Sequence, residues 1–106
     1  MNVQLTALVL KENINVLYTN EELSYDDAVK SCPKGYRMIT LEVMGRIFKN
    51  QPLDIFGFYF WFESPKWNKT KWRPVARGYK CDYNFDLFSN NNPTKSRVIY
   101  VKEEFS

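Results

Sequence analysis

The sequence has no histidine among its 106 residues. Histidine is the commonest general base and metal ligand in proteins, so its absence removes Ser–His and Cys–His nucleophile pairs and most hydrolase mechanisms. The two cysteines, without histidine or further cysteine, do not make a zinc site. We therefore predict a protein that has no enzymatic activity, no cofactor and no metal.

Long apolar runs are also missing. No stretch approaches the roughly 18 apolar residues that a membrane helix needs, and residues 1–6 lack the basic and apolar regions of a secretory leader. These absences predict a cytoplasmic protein that does not associate with membranes. The length, together with 44% apolar and 25% charged residues, predicts a single domain over residues 1–106.

In a reducing compartment, Cys32 and Cys81 are expected to be two buried thiols. An oxidising compartment would instead join them in a disulfide that contributes about 4 kcal/mol to stability. The carboxylates suggest no catalytic pair, since Asp82 and Asp86 lie about 13 Å apart along a predicted strand. That separation exceeds the spacing of the carboxylate pair in a glycosidase.

The first half of the sequence predicts two strands followed by two helices. Residues 3–10 and 13–18 show the two-residue period of strands. Ser24 is a natural N-cap for the first helix, which Pro33 ends. A turn at 34–37 leads to a second helix over 41–49, capped by Thr40. The side chains expected to be buried are Tyr25, Ala28, Val29 and Cys32 in the first helix, and Leu41, Met44, Ile47 and Phe48 in the second.

The second half of the sequence predicts strands. Residues 57–63 are apolar on both sides, which is typical of a central strand. Residues 79–87 alternate between apolar and polar side chains and predict a half-exposed strand, and residues 97–102 predict the last strand. Strands in succession can pair as a meander, so the fold class is α+β. A parallel nucleotide-binding sheet is excluded, because single helices do not alternate with the strands.

Positive charge is concentrated in residues 64–81, which we call the basic segment. It holds six basic side chains and no acidic one, whereas the whole chain has a net charge of only +3. Its mixture of basic and aromatic residues suits an acidic protein surface or a nucleic acid, but also a solvated hairpin whose tryptophans return to the core. The predicted partner-binding residues are Lys66, Trp67, Lys69, Lys71, Trp72, Arg73, Arg77 and Lys80.

Residues 25–41, YDDAVKSCPKGYRMITL, carry a recognisable motif. They resemble the W-x-x-A…C-P-x-G-W-R-L-P-T segment of bacterial and phage C-type-lectin-like domains. The resemblance continues in FWFES at 60–64, which is similar to the F-W-S-S strand of that family, and in RVIYV at 97–101, which is similar to its final strand. It implies two helices packed on an antiparallel sheet, with the N- and C-terminal strands close together.

Departures from the family pattern limit what the resemblance implies. The family cysteine of the final strand, which commonly pairs with the one matching Cys32, is absent, and Cys81 lies one strand earlier. The calcium-dependent sugar site of the family uses Glu-Pro-Asn, Gln-Pro-Asp and Trp-Asn-Asp motifs, but Gln51-Pro52 is followed here by Leu53. The resemblance therefore implies a scaffold that displays a binding surface, without a calcium site.

We accordingly predict a non-enzymatic binding module that engages an acidic protein surface through the basic segment and the neighbouring loop 89–95. A phage or mobile-element protein that modulates or inhibits a host factor would fit this description. One alternative is nucleic-acid binding, with the four lysines of the segment on phosphates and its tryptophans stacked on bases. Another is calcium-independent glycan binding on the ring faces of Trp61, Trp67 or Trp72.

Overall fold

A computed structural model describes residues 3–10, 13–50, 58–79, 82–89 and 94–102. Within these ranges the chain forms two helices and a mixed sheet, which confirms the α+β class. Along the chain the elements are β1 (Leu5–Val9), β2 (Asn15–Thr19), α1 (Tyr25–Lys30), β3 (Tyr36–Met38), α2 (Leu41–Asn50), β4 (Tyr59–Trp61), β5 (Trp72–Tyr79), β6 (Asp82–Ser89) and β7 (Arg97–Lys102).

The last strand, β7, lies in the middle of the sheet. The strand order is β1-β2-β7-β4-β5-β6, and β3 also pairs with β7. β4, β5 and β6 form an antiparallel meander, although β5 was not among the predicted strands, and the antiparallel β2–β7 pair brings the N- and C-terminal strands together. The expectation of a wholly antiparallel sheet is wrong. β7 lies between β2 and β4 and runs parallel to β4.

The first helix begins where the sequence predicts. The side chain of Ser24 accepts a hydrogen bond from the backbone N–H of Asp27 at 3.2 Å, which satisfies a donor of the first turn. The helix ends at Lys30, two residues earlier than predicted, and only Ala28 is fully buried. Val29 was expected in the core but is 50% exposed, because it is rotated by about 100° around the helix from Ala28, the residue that the helix buries.

The second helix is capped by Thr40, whose hydroxyl accepts the N–H of Val43 at 3.2 Å. Val43 and Met44 are buried beneath it. Leu41, which was expected on the buried face, is exposed because the first turn of the helix lies at the edge of a surface cleft. The side chains at positions 47 and 48, also expected on that face, lie outside the described residues.

Two strands were not predicted. The turn at 34–37 is present, with Gly35 at a φ of 86°, but Tyr36–Met38 then pairs with β7 as β3. Trp72–Tyr79 forms β5, so Tyr79 belongs to β5 and the predicted 79–87 strand is observed as β6. The strand β3 forms by pairing with the distant β7, and β5 forms by pairing with β4 and β6 on its two sides, and local periodicity reports neither pairing.

The core lies on both faces of the sheet, with one helix on each. Tyr100 of β7 packs in the cluster that contains Ala28 of α1, whereas its neighbour Ile99 packs in the cluster that contains Met44 of α2. Phe60 and Trp61 of β4 are buried in the two clusters, which confirms the central position predicted for this strand. Because both faces of the sheet are packed, the sheet fixes the positions of the loops that connect its strands.

The two cysteines are not both described. Cys32 is half-buried, and its thiol donates to the backbone carbonyl of Tyr36 at 3.1 Å. Cys81 lies outside the described residues, so the state of the two thiols stays a prediction.

Candidate partner-binding turn

Residues 64–72, which we call the basic turn, follow β4, end at Trp72, the first residue of β5, and form the first part of the basic segment. Hydrogen bonds within the turn fix its backbone. The N–H of Trp67 donates to the carbonyl of Ser64 at 2.9 Å, and the N–H of Thr70 donates to the carbonyl of Trp67 at 3.0 Å. The Thr70 hydroxyl also donates to the Trp67 carbonyl at 2.8 Å and accepts the N–H of Trp72 at 3.1 Å. The turn therefore has one defined shape.

Arg73 holds the turn from the first residues of β5. Its Nη1 donates to the carbonyl oxygens of Thr70 at 2.9 Å and Trp72 at 3.0 Å, and lies 3.5 Å from that of Trp67. Its guanidinium also lies over the ring of Tyr25, 4.8 Å from the ring centroid. Arg73, which was predicted to contact a partner, is half-buried and makes these internal contacts instead. We therefore treat it as a positioning residue.

Three lysines of the basic turn are exposed, namely Lys66, Lys69 and Lys71. The ammonium of Lys66 lies 5.0 Å from the ring centroid of Trp67, and that of Lys71 lies 5.4 Å from the ring centroid of Trp72. At these distances the ammonium groups are attracted to the ring faces. Trp67 is half-buried, whereas Trp72 is 38% exposed. The turn therefore presents positive charge and aromatic surface together.

Arg77 lies apart from the turn, farther along β5. It is paired in register with Tyr59 of β4, and its guanidinium lies 5.4 Å from the centroid of that ring, which is 49% exposed. Tyr59 also lines a recess of about 190 Å³ together with Lys95, which belongs to the predicted loop 89–95. Positions 80 and 90–93 lie outside the described residues. The predicted interface is therefore divided between the basic turn and this second patch.

Trp61, suggested as a sugar platform, is buried and cannot stack on a sugar. It is only 2% exposed, and its indole N–H donates to the carbonyl of Leu23 at 2.9 Å. Its ring packs edge-on against the ring of Tyr25, with centroids 5.5 Å apart. This prediction is wrong because Phe60 and Trp61 of β4 are buried in the two core clusters on opposite faces of the sheet.

A surface cleft beside the basic turn was not foreseen. It has a volume of about 410 Å³ and is lined by Leu41 at the start of α2 and by Pro65 of the turn. Arg37 of β3 and Glu63 also line it and form an ion pair, with Nη2 and Oε2 at 3.0 Å. These residues come from two separate stretches of the chain, 37–42 and 63–68, and no local pattern links them. Because Leu41 was expected to be buried, no feature of the sequence indicated the cleft.

No protein-family model matches the chain, and no curated protein or solved structure is significantly similar to it. In the described ranges, no three or more histidine, cysteine, aspartate or glutamate side chains are grouped as metal ligands would be. None of the described helices has the length and apolar character needed to cross a membrane.

Proposed function

We propose that this chain is a non-enzymatic binding module, with a C-type-lectin-like fold, that engages an acidic surface of a protein partner through the basic turn. The observation that carries the proposal is the fixed conformation of a turn that combines three exposed lysines with the two tryptophans that flank Lys69. A surface that is ordered before binding loses less conformational entropy when the partner docks. Tryptophan is also among the residues that most often dominate the binding energy of interfaces.

The order of elements supports the proposed fold. Two helices precede an aromatic strand at the centre of the sheet, and the final strand pairs beside the N-terminal hairpin of β1 and β2. These are the features that the resemblance at residues 25–41 implies. In this scaffold the basic turn lies between the end of β4 and the start of β5, where the sequence of a loop can vary without disturbing the core.

A protein partner fits the turn better than a nucleic acid does. Lysine ammonium groups cover one face of the Trp67 and Trp72 rings, which leaves less ring surface on which bases can stack. Glu42 and Glu63 line the adjacent cleft, so the charge of this surface is mixed and unlike the continuous positive groove that follows a phosphate backbone. The exposed Leu41 in the same cleft suits an apolar side chain of a protein partner. Together, the lysines of the turn and Leu41 of the cleft form a surface in which charged groups surround an apolar side chain.

The proposal is tested by affinity capture from lysate with the immobilised chain, after nuclease treatment and at low and moderate salt. The test variant replaces Lys66, Lys69 and Lys71 with serine. The control variant replaces the exposed Lys30, Lys34 and Arg46, which lie outside both parts of the predicted interface, with serine, so that both variants lose the same charge. We expect one protein to be retained by the wild type and the control and lost from the test variant. Equal retention of the partner by the wild type and both variants would contradict the proposal. Nucleic acid that is retained and elutes with salt would instead support nucleic-acid binding.

A second comparison locates the interface within the basic segment. Trp72→Ala is expected to weaken binding of the captured partner by about tenfold or more, because an exposed interface tryptophan loses its contact area. Tyr59→Ala removes a comparably exposed aromatic side chain from the patch around Arg77. Loss of binding in the Tyr59 variant alone would move the interface to that patch and contradict the role of the turn.

A further inference from the structure

Among the residues that the structure describes, none pairs with the outer edge of β1. β1 ends the strand order, and within the described residues it pairs with β2 alone. A strand in this position presents a row of backbone donors and acceptors that another strand can use. The opposite end of the sheet is β6.

The backbone geometry shows which groups of β1 are available. The N–H of Leu10 donates to the carbonyl of Ile14 at 2.8 Å, and the carbonyl of Gln4 accepts the N–H of Asn20 at 3.3 Å. Both residues therefore direct their backbone groups toward β2 and its flanking residues. Because these directions alternate along an antiparallel strand, the groups of the odd-numbered residues between them point outward. Those residues are Leu5, Ala7 and Val9.

The side chains of β1 do not protect this edge. Residues 3–10 contain no charged residue and no proline, which are the usual means by which proteins block edge pairing. Ala7 is exposed and Val9 is 60% exposed. By contrast, β6 carries Asp86, which is exposed, and begins with Asp82. The β6 edge therefore carries charge that disfavours pairing with another strand, whereas the β1 edge is uncharged and apolar.

We propose that β1 pairs antiparallel with β1 of a second copy of this chain, around a two-fold axis at Ala7. In this register Leu5 lies opposite the partner's Val9, and Ala7 lies opposite the partner's Ala7. Every outward-pointing backbone group of the three residues then finds a partner, which adds about six hydrogen bonds. The apolar side chains that meet across the axis lie on one face of the joined sheet.

A second copy suits this edge because the strand is its own complement. An uncharged segment placed against itself brings no like charges together, although each chain carries a net charge of +3. Pairing about a two-fold axis uses the same edge on both chains and leaves no further β1 edge exposed. The assembly therefore closes as a dimer.

The dimer would place its two basic turns far from each other. β2, β7 and β4 separate β1 from the turn in each sheet, so the turns lie on opposite sides of the two-fold axis. A partner that displays more than one acidic site could then be held by both copies, with a gain in apparent affinity. The dimer itself does not depend on the function proposed for the turn.

Sedimentation equilibrium over the micromolar range tests the dimer. Val9→Lys places a charge at the edge, and Ala7→Pro removes an outward N–H that β2 does not use. Val29→Lys makes the same change as Val9→Lys at an exposed position on α1, and serves as the control. We expect the wild type and the control to dimerise equally, and both edge variants to raise the dissociation constant at least about tenfold.

Circular dichroism establishes that each variant retains its secondary structure, and Val9→Lys alone decides the test if Ala7→Pro does not fold. A wild-type chain that stays monomeric throughout the range would overturn the proposal. So would a dimer whose dissociation constant is the same in Val9→Lys as in the control.

Discussion

The guanidinium of Arg73 lies over the ring of Tyr25, 4.8 Å from its centroid, and so connects the basic turn to the first turn of α1. The two residues also affect each other electrostatically. Burial raises the pKa of Tyr25, and the positive charge of Arg73 acts in the opposite direction. The hydrogen bonds of Arg73 to the turn and its contact with Tyr25 use one side chain, so the shape of the turn depends on packing against the helix.

Replacing Arg73 with alanine is expected to lower the free energy of unfolding by about 2 kcal/mol. The substitution removes charge-assisted hydrogen bonds to carbonyl oxygens of the turn and the cation–π contact with Tyr25. Urea denaturation provides the measurement. Arg77→Ala on the same strand is the control, because Arg77 is exposed and is expected to contribute no more than about 0.5 kcal/mol. Equal losses in the two variants would argue against a positioning role for Arg73.

Stability is expected to fall as the pH rises above about 10, the ordinary pKa of tyrosine. Burial raises the pKa of Tyr100 in the folded state, with a smaller contribution in the same direction from Cys32, and burial also raises the pKa of Tyr25. The unfolded chain therefore releases these protons first, and each such tyrosine lowers the free energy of unfolding by about 1.4 kcal/mol per pH unit until its folded pKa is reached.

Tyr100→Phe tests the assignment of this pH dependence. Below pH 10 the variant is expected to be about 1 kcal/mol less stable, because the Tyr100 hydroxyl donates to the carbonyl of Ala28 near the end of α1. Above pH 10 its stability should fall less steeply than that of the wild type. Thermal unfolding measured at a series of alkaline pH values distinguishes the two slopes. Parallel slopes would show that Tyr100 does not titrate as described.

Thr19→Val is expected to cost about 2 kcal/mol. The buried hydroxyl of Thr19 accepts the N–H of Val98 at 3.1 Å, and valine would leave that donor buried without an acceptor. Thr6→Val is the matched control, because the hydroxyl of Thr6 bonds Asn20 in an exposed position where water can replace it. Chemical denaturation of both variants should show a loss at position 19 that is clearly the larger.

The ion pair between Arg37 and Glu63 is expected to contribute less than about 1 kcal/mol to stability. Both side chains are partly exposed, so water and salt screen their attraction. A double-mutant cycle with Arg37→Met and Glu63→Gln measures the coupling free energy. A coupling of several kcal/mol would mean that the pair is shielded from water far more than its exposure indicates.

Elements with a strong local signal could be predicted from the sequence. Ser24 and the acidic pair that follows it define the start of α1, and an apolar run on both sides of the chain identifies β4 as central. The strand β3 has no such signal, since its three residues form a strand only because β7 lies beside them. Local pattern thus identifies the elements that are stabilised by their own sequence.

The strand β5 shows why the basic segment was difficult to interpret. It contains Pro74 and Gly78 between charged residues, a composition that predicts a loop. Pro74 is tolerated because it lies just beyond the residues of β5 that pair with β4 in register, and its carbonyl still accepts the N–H of Phe62 at 3.3 Å. The split of the basic residues between the turn and the patch around Arg77 follows from this pairing, and so could not be read from charge alone.

The position of β7 constrains how the chain reaches its native state during synthesis. Residues 97–102 pair with β2, β3 and β4, all of which leave the ribosome before them. Until β7 is synthesised, these strands have no common neighbour in the sheet. The hydroxyl of Thr19 likewise lacks its donor, the N–H of Val98, which lies 79 positions later in the chain. We therefore expect the sheet to assemble only after residue 102 has been translated, so that a nascent chain that stalls earlier is exposed to proteases and chaperones.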